Sequence, residues 1–312
     1  MESIARLAGR APRGYARIGD DVAVVPLGKG NLVVKVDMLV EHTDVPQGMT
    51  YREAARKAVA MCVSDFAAKG VRPDSFLVSL GLRKNIAQGK VDALAAGFRD
   101  ASREWKVRLV GGDTNESREL VIDCTMVGFA RRYVPRSGAS PGDVLVVTGP
   151  FGYPPSGLKL LNGSAEAGPG FRDAATKAVL RPTPSLRVGL ALAPYLTSAM
   201  DSSDGLARSL HTLAKESRVG FELTSLPMGD GVEKFAAANG LKPEKLVLEG
   251  GEEYLIVGTV RGERFGAAQR AARGAGGKLI PIGKATSRAG LVELVEGSVR
   301  APVEDGGWTH LR

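Results

Sequence analysis

The sequence has few of the residues that build zinc sites and disulfide frameworks. Among its 312 residues there are 2 cysteines, Cys62 and Cys124, and 3 histidines. The cysteines form no CxxC pair and the histidines have no spacing typical of a zinc site, which excludes a zinc or thiol enzyme. Cys62 lies in an apolar helical pattern and Cys124 in an apolar strand pattern, so both are predicted to be core residues.

Aromatic residues are also scarce, at 5% of the chain. The formal net charge is +8, but the lysines and arginines are spread along the sequence and form no block. Because few aromatic side chains are available to stack on bases, the composition argues against nucleic acid as a partner. A basic surface that attracts an anionic substrate is the better interpretation.

Long hydrophobic runs are absent too. Even the longest apolar runs are short, such as Val144–Val147. No segment is therefore predicted to span a bilayer, and no membrane partner is expected. The first 20 residues carry Arg6, Arg10, Arg13 and Arg17 without a long apolar core, which is not the pattern of a secretory signal. A cytoplasmic location is therefore expected.

The standard phosphate-binding motifs are missing. The sequence contains neither the GxxxxGK(S/T) pattern of P-loop proteins nor the HRD and DFG triplets of protein kinases. No GxGxxG follows a predicted strand. A bound nucleotide would have to be held by carboxylate-bound metal ions and by scattered backbone and arginine contacts.

The length and the turn signals predict two domains. A chain of 312 residues exceeds the usual size of a single core. The segment Pro135–Gly142 is rich in turn-forming residues, and it sets the predicted domains at residues 1–136 and 137–312. Strand and helix patterns alternate irregularly along the chain, which favours the α+β class over a doubly wound sheet.

Hydrophobic periodicity places the elements. Thr50 and Glu53 form a predicted capping box at the start of the first long helix. In the first domain the predicted strands are Val22–Val25, Leu32–Val36, Phe76–Leu80, Arg108–Val110 and Leu120–Gly128, and the predicted helices are Tyr51–Lys69 and Val91–Glu104. In the second the predicted strands are Val144–Val147, Gly220–Leu223, Tyr254–Val260 and Leu291–Val295, and the predicted helices are Ser185–Leu192, Gly205–Ser217, Asp230–Asn239 and Glu263–Ala272.

Aspartates recur at the predicted ends of apolar elements. They are Asp20, Asp21, Asp37, Asp65, Asp113, Asp201 and Asp204. Any one of them is explained by a helix cap or a turn, such as Asp204 as a helix N-cap. Together they favour a shared cation site, because buried carboxylates are costly unless a cation compensates them. With no thiolate or histidine nearby, the pattern indicates a hard cation, and magnesium on a nucleoside triphosphate is the commonest need for it.

Two glycine-containing segments fit the same interpretation. Gly111 and Gly112 precede Asp113 at the predicted end of a strand, where the lack of a Cβ lets the backbone approach a phosphate. The segment Ser202–Gly205 opens a predicted helix, whose first N–H groups are natural phosphate ligands.

Eight short segments appear in the order typical of thiamine-monophosphate kinases, and the chain resembles that family from about residue 18 to Trp308. The segments are Gly19–Asp21, Val36–Val40, Val63–Gly70, Gly111–Thr114, Arg136–Asp143, Arg181–Pro184, Asp201–Gly205 and Gly250–Tyr254. The family belongs with aminoimidazole ribonucleotide synthetase and selenophosphate synthetase. The resemblance implies a two-domain α+β fold whose N-terminal sheet pairs with that of a second copy in a homodimer.

The resemblance also implies a reaction and a set of site residues. The γ-phosphoryl group of ATP would move directly to thiamine monophosphate, with several Mg²⁺ ions in a cleft between the domains. Implied metal ligands are Asp21, Asp37, Asp65, Asp113, Asp201 and Asp204. Gly112, Asp113, Arg136 and Ser203 are implied to bind ATP, with Arg136 and Asp204 catalytic, and Asp44, Glu252 and Trp308 to bind the thiamine substrate.

The chain departs from the commoner family pattern at three places. Lys35 and Val36 stand where two hydroxyl residues often precede the aspartate matched to Asp37, so a metal contact from them would use backbone carbonyls. Asp44 aligns with a substrate-side histidine. The loop Gly149–Gly157 lacks the usual aspartate–serine pair. These differences concern substrate contacts more than metal binding.

Two alternatives stay open at this point. The first is another ATP-using enzyme of the same superfamily. The chain lacks the amino-terminal cysteine expected of a selenophosphate synthetase and the terminal cysteine expected of a hydrogenase-maturation relative. It also lacks the GVGTK segment usual in aminoimidazole ribonucleotide synthetases. The second is a noncatalytic relative that binds a nucleotide or nucleic acid, for which salt-sensitive RNA binding without ATP consumption would be the sign.

Overall fold

The computed structural model describes residues 18–309. Within them the chain forms two compact units. The first consists of the residues up to Phe66 together with Val71–Tyr133, and the second of Ala67–Gly70 together with the residues from Val134 onward. The amino-terminal arginines on which the expected location was based lie outside the described residues. From residue 18 to residue 309, no helix is long and apolar enough to cross a bilayer.

The first unit is built on a five-stranded sheet with the strand order β1-β2-β5-β3-β4. The strands are β1 (Ala23–Leu27), β2 (Gly30–Val40), β3 (Pro73–Arg83), β4 (Arg108–Ser117) and β5 (Val121–Ala130). β3 and β4 run parallel, and the other neighbouring pairs run antiparallel. The helices along this part of the chain are α1 (Glu41–Asp44), α2 (Tyr51–Ala68) and α3 (Gln88–Trp105).

Helix α2 begins where the capping box predicts. The backbone N–H of Thr50 donates to Glu53 Oε2 at 2.9 Å, and the N–H of Glu53 donates to Thr50 Oγ1 at 3.2 Å. Its apolar stripe of Ala54, Ala58, Cys62 and Phe66 is buried. Helix α3 approaches α2 closely at Gly97, where a Cβ would lie 2.1 Å from the backbone oxygen of Arg52.

The sheet of the first unit has one buried face and one open face. Along β5, Ile122, Cys124 and Met126 are fully buried, whereas the residues between them are only partly buried. Cys62 Sγ donates to the backbone oxygen of Cys124 at 3.2 Å, so both cysteines are core residues, as predicted. Several large apolar residues of this unit are exposed instead: Val36, Met38, Leu77, Leu109, Val110 and Phe129.

The second unit is built on a seven-stranded sheet with the order β12-β11-β8-β10-β6-β9-β7. The strands are β6 (Val144–Val147), β7 (Leu196–Ser202), β8 (Gly220–Leu223), β9 (Leu255–Val260), β10 (Ile280–Thr286), β11 (Val292–Glu296) and β12 (Val299–Pro302). The helices are α4 (Tyr153–Leu161), α5 (Pro169–Leu180), α6 (Leu186–Leu192), α7 (Leu206–Ser217), α8 (Val232–Ala238), α9 (Pro243–Leu248) and α10 (Phe265–Gly274). Leu206, Leu210 and Leu213 of α7 join the core formed on this sheet.

The two sheets with their helices confirm the α+β class, and the structure corrects three local predictions. Asp37 does not close a strand, because β2 continues to Val40. Asp113 does not follow the end of a strand, because β4 runs through both glycines to Ser117. Asp204 is not the N-cap of α7; Gly205 has that position, and no side chain caps the helix.

Candidate active-site residues of the two units

Two of the predicted metal ligands in the first unit contact one lysine, and a third lies close to one of them. Lys35 Nζ lies 3.2 Å from Asp37 Oδ1 and 2.9 Å from Asp65 Oδ2. A carboxylate oxygen of Asp21 lies within 4.8 Å of one of Asp65. Asp21 and Asp65 are buried, and Asp37 is partly exposed. We refer to Asp21, Asp37 and Asp65 as the carboxylate cluster.

Local structure explains how the carboxylate cluster forms. Lys35 and Asp37 are two residues apart in β2, so their side chains leave the same face of the strand. Asp65 lies in the buried part of α2, and Asp21 lies just before β1. Carboxylate oxygens without a thiolate or imidazole suit a hard divalent cation such as Mg²⁺, so the donor set fits the predicted ion.

The other predicted residues of the first unit lie apart from this cluster. Asp113 pairs in register with Ser79 of β3, which is exposed, whereas the preceding residue Val78 is buried. Because paired residues share a face of the sheet, Asp113 lies on the open face. Its Oδ1 accepts the N–H of Thr114 at 2.8 Å. Asp44 caps its own turn, because its Oδ2 accepts the N–H of Val40 at 2.7 Å. Their roles in metal and substrate binding stay predictions.

Gly112 has a structural reason to lack a side chain. A Cβ at this position would lie 2.1 Å from the backbone oxygen of Val78, in the neighbouring strand β3. At Gly111 the nearest atom to a Cβ would be Leu77 Cδ2 at 3.6 Å, an ordinary contact. Close strand packing therefore requires the second glycine of the pair, independently of any phosphate.

In the second unit, three distant parts of the chain meet around Ser203. Asp201 and Ser202 are buried at the end of β7, and the chain turns at Gly205 into α7. The backbone oxygen of Ser203 accepts the N–H of Glu252 at 2.6 Å. The backbone oxygen of Asp204 accepts the N–H of Trp308 at 3.0 Å. The structure thus brings the predicted substrate residues next to the predicted metal and nucleotide residues of the same unit.

The turn that carries Glu252 is strained. Glu252 and Tyr254 both have positive φ values, 64° and 50°, which are unusual for residues with a side chain. Gly251 packs so tightly on Ser203 that a Cβ would lie 2.6 Å from the Ser203 backbone oxygen. Strained backbone of this kind persists where surrounding contacts hold it, often at functional sites.

Glu253, which the sequence reasoning missed, is half-buried in this same turn. Its Oε1 accepts the backbone N–H of Gly152 at 2.5 Å. Burial raises the pKa of the Glu253 carboxyl well above its usual range, and the hydrogen bond from Gly152 opposes this only in part. Two adjacent glutamates after two glycines gave no signal that the second would accept this backbone hydrogen bond.

A pH-dependent stability follows from Glu253. The unfolded chain releases this proton near the ordinary pKa, so the contribution of the group to stability is full below that pKa and falls as the pH rises through the interval up to the raised folded pKa. An amide cannot ionise. Thermal scans of Glu253→Gln and wild type at pH 4 and pH 8 measure this effect. The difference between the unfolding midpoints of the variant and wild type is expected to shift in favour of the variant at pH 8 relative to pH 4. An equal difference at the two pH values would contradict this assignment.

Arg136, the predicted nucleotide contact and catalytic residue, lies at the entry to the second unit. Its backbone oxygen accepts a hydrogen bond from Ser217 Oγ at 3.4 Å, close to the glycine turn at Gly138. A Cβ at Gly138 would lie 2.4 Å from the Thr197 backbone oxygen. The backbone beside Arg136 is thereby held in place, and the role of its side chain stays a prediction.

Comparisons with known proteins agree with this fold. Models of the AIR synthase related protein N-terminal and C-terminal domains match residues 19–130 and 140–296. Thiamine-monophosphate kinase of Nitrosopumilus maritimus is 39% identical over 94% of this chain and 93% of its own length. Thiamine-monophosphate kinase of Pyrococcus horikoshii is 37% identical over 80% of this chain and 79% of its own length.

A solved structure extends the likeness to three dimensions. The structure of AaThiL complexed with AMPPCP and TMP matches with a TM-score of 0.87 and 28% identity, covering 99% of this chain and 95% of that one. The chain therefore belongs to the AIR synthase related proteins and, within them, to the thiamine-monophosphate kinases. The resemblance read from the eight segments is confirmed.

Proposed function

We propose that the protein transfers the γ-phosphoryl group of ATP to thiamine monophosphate, yielding thiamine diphosphate and ADP. The observation that carries the proposal is the 39% identity to a thiamine-monophosphate kinase over 94% of the chain. The match to a structure complexed with AMPPCP, an ATP analogue, and TMP supports it further. The proposal includes a cytoplasmic location, as expected from the sequence.

The acceptor explains why the proposed site has carboxylates and no histidine base. The phosphate of thiamine monophosphate is largely ionised near neutral pH, so an in-line transfer requires no strong general base. Bound Mg²⁺ ions would screen the repulsion between the two anionic phosphates. The task of the protein is then to hold both phosphates in line and to stabilise charge on the transferred group.

The residue roles are assigned on this basis. Asp21, Asp37 and Asp65 of the first unit are proposed to hold Mg²⁺, and their mutual proximity supports this. Further proposed ligands are Asp113, Asp201 and Asp204. The residues proposed to contact ATP are Gly112, Asp113, Arg136 and Ser203. Arg136 is proposed to stabilise charge on the transferred phosphoryl group. Asp204 is proposed as a catalytic residue as well as a metal ligand. Asp44, Glu252 and Trp308 are proposed to contact thiamine monophosphate.

The test incubates the purified protein with ATP, Mg²⁺ and thiamine monophosphate and separates the products. Thiamine diphosphate and ADP in equal amounts, without free phosphate, are expected. Free thiamine is tried as a second acceptor. ADP release with free phosphate and no thiamine diphosphate would overturn the proposal.

Trp308 offers a test of the substrate contact that leaves the core untouched. Its side chain is 54% exposed, and an indole face attracts a cationic thiazolium ring. Loss of about 1–2 kcal/mol of such attraction corresponds to an increase in KM of about tenfold. Trp308→Ala is therefore expected to raise the KM for thiamine monophosphate by this factor and to leave the KM for ATP unchanged. Trp308→Phe keeps an aromatic face, so its KM for thiamine monophosphate should lie between those of wild type and Trp308→Ala. An unchanged KM for thiamine monophosphate in Trp308→Ala would exclude the contact.

A homodimer is also proposed, on the strength of the exposed apolar surface of the first unit. β4 is an edge strand whose residues from Arg108 to Glu116 are all exposed, including Leu109 and Val110. An exposed edge strand presents unpaired backbone groups that invite pairing with another strand, and exposed apolar patches often mark interaction sites. A second copy of the same sheet would provide such a strand.

Sedimentation analysis tests the homodimer. The wild-type protein is expected to have twice the 32.7 kDa mass of the chain. Val110→Lys should shift it toward the monomer, because a charge in the covered edge is costly to desolvate. Val299→Lys is the matched control, since Val299 is exposed on β12, an edge strand of the other sheet. A monomeric wild type would contradict the dimer and leave the activity proposal to its own test.

A further inference from the structure

Lys35 places a positive charge directly against two members of the carboxylate cluster. Its ammonium group lies within 3.2 Å of carboxylate oxygens of both Asp37 and Asp65. The proposed function, on which this inference rests, assigns both aspartates to Mg²⁺. We infer that Lys35 serves as a tethered cation that takes the place of one divalent ion between Asp37 and Asp65.

The position of Lys35 is set by the backbone of β2. β2 pairs with β5 along Asn31–Val40, including Lys35 with Met126 and Asp37 with Cys124, so neither residue can change its facing without breaking the sheet. The Lys35 side chain is only 18% exposed. Because Lys35 is largely buried and ion-paired with two carboxylates, it belongs to the cluster and is not a solvated surface lysine.

The charges of the cluster limit how many cations it can hold. The ammonium group of Lys35 already neutralises part of the negative charge of Asp37 and Asp65. A divalent ion bound by both Asp37 and Asp65 would have to share their oxygens with an ammonium group a few ångströms away. At that distance the repulsion between the two cations is large even with a protein-like effective dielectric.

Lys35 would therefore reduce the number of divalent ions that this unit binds, or weaken one of them strongly. The hydroxyl residues that often stand at this position in the family cannot supply a positive charge. A chain with threonine at position 35 should need an additional ion at the same place. Lys35 is in this sense a specificity-determining residue for the metal content of the site.

Binding of Mn²⁺ to the full-length protein without nucleotide tests the inference. Titration with detection of free Mn²⁺ by electron paramagnetic resonance gives both the number of ions and their dissociation constants. Lys35→Thr is expected to bind one ion more than wild type, or to bind an existing one at least tenfold more tightly. Lys35→Arg, which keeps the charge, should match wild type. Lys29→Thr is the control for net charge, because Lys29 is exposed in the turn between β1 and β2.

A stability measurement covers the case in which Lys35→Thr folds poorly. Without Lys35, Asp37 and Asp65 lose this cation, so Mn²⁺ should raise the thermal unfolding midpoint of Lys35→Thr much more than that of wild type. Equal ion counts and affinities, within a factor of two, in wild type and Lys35→Thr would overturn the inference, as would equal shifts of the unfolding midpoint. Neither readout requires turnover, so a failure of the kinase assay would leave this test intact.

Discussion

Asparagine in place of Asp37 or of Asp113 is expected to lower kcat by a factor on the order of 10²–10³, because each substitution removes a charge proposed to hold Mg²⁺ against polyphosphate. Asparagine is nearly isosteric with aspartate, and both residues are at least partly exposed, so the fold should persist. Steady-state production of thiamine diphosphate measures the effect, and circular dichroism checks the fold.

A control for the loss of a negative charge is available on α3. Asp92 accepts a hydrogen bond from Gln88 Nε2 at 3.0 Å on the exposed surface of that helix. Asp92→Asn should retain wild-type turnover. If Asp37→Asn and Asp113→Asn kept kcat within about threefold of wild type, neither aspartate could have the proposed metal role.

Alanine at position 112 is expected to destabilise the protein by about 3 kcal/mol or more, because its Cβ would have to displace backbone rather than a flexible side chain. The contact is with the Val78 backbone oxygen, 2.1 Å from an ideal Cβ. The neighbouring substitution Gly111→Ala would meet only Leu77 Cδ2 at 3.6 Å and should change stability by less than about 1 kcal/mol.

Urea unfolding of the two alanine variants measures this difference. The pair is closely matched, since the same chemical change is made at adjacent residues of one strand. A common midpoint for both variants would show that β4 can move away from β3 at Gly112. Lowered stability of Gly112→Ala with normal ATP binding in the folded fraction would assign this glycine to strand packing rather than to the nucleotide.

The elements that sequence patterns predicted well are those specified by local contacts. Helix α2 starts at its capping box because Thr50 and Glu53 bond each other across three residues. Helix α7 and strand β6 likewise lie where their patterns predicted. Strands were cut short where polar residues entered them. β2 and β4 continue past Asp37 and through Asp113 because neighbouring strands supply backbone partners, which no local pattern reveals.

Several elements and partners were not predicted at all. β7, β10 and β12, with helices α4, α5 and α9, have weak local patterns and are held by sheet pairing and packing in the second unit. Lys35 appeared in the sequence only as a departure from a family pattern. Its alternation with Asp37 could have indicated a shared strand face, but the contact with Asp65 depends on how α2 packs on the sheet.

The sequence by itself indicated the kind of chemistry: recurring carboxylates instead of thiolates and imidazoles, no P-loop motif, and eight segments in the order of one kinase family. Those properties reside in residue types and spacings along the chain. Only the tertiary structure decided which of these groups meet, because β-sheet register and the packing of α2 bring together residues far apart in sequence. It put Lys35 among the carboxylates of the first unit and joined Glu252 and Trp308 to Ser203 and Asp204 in the second.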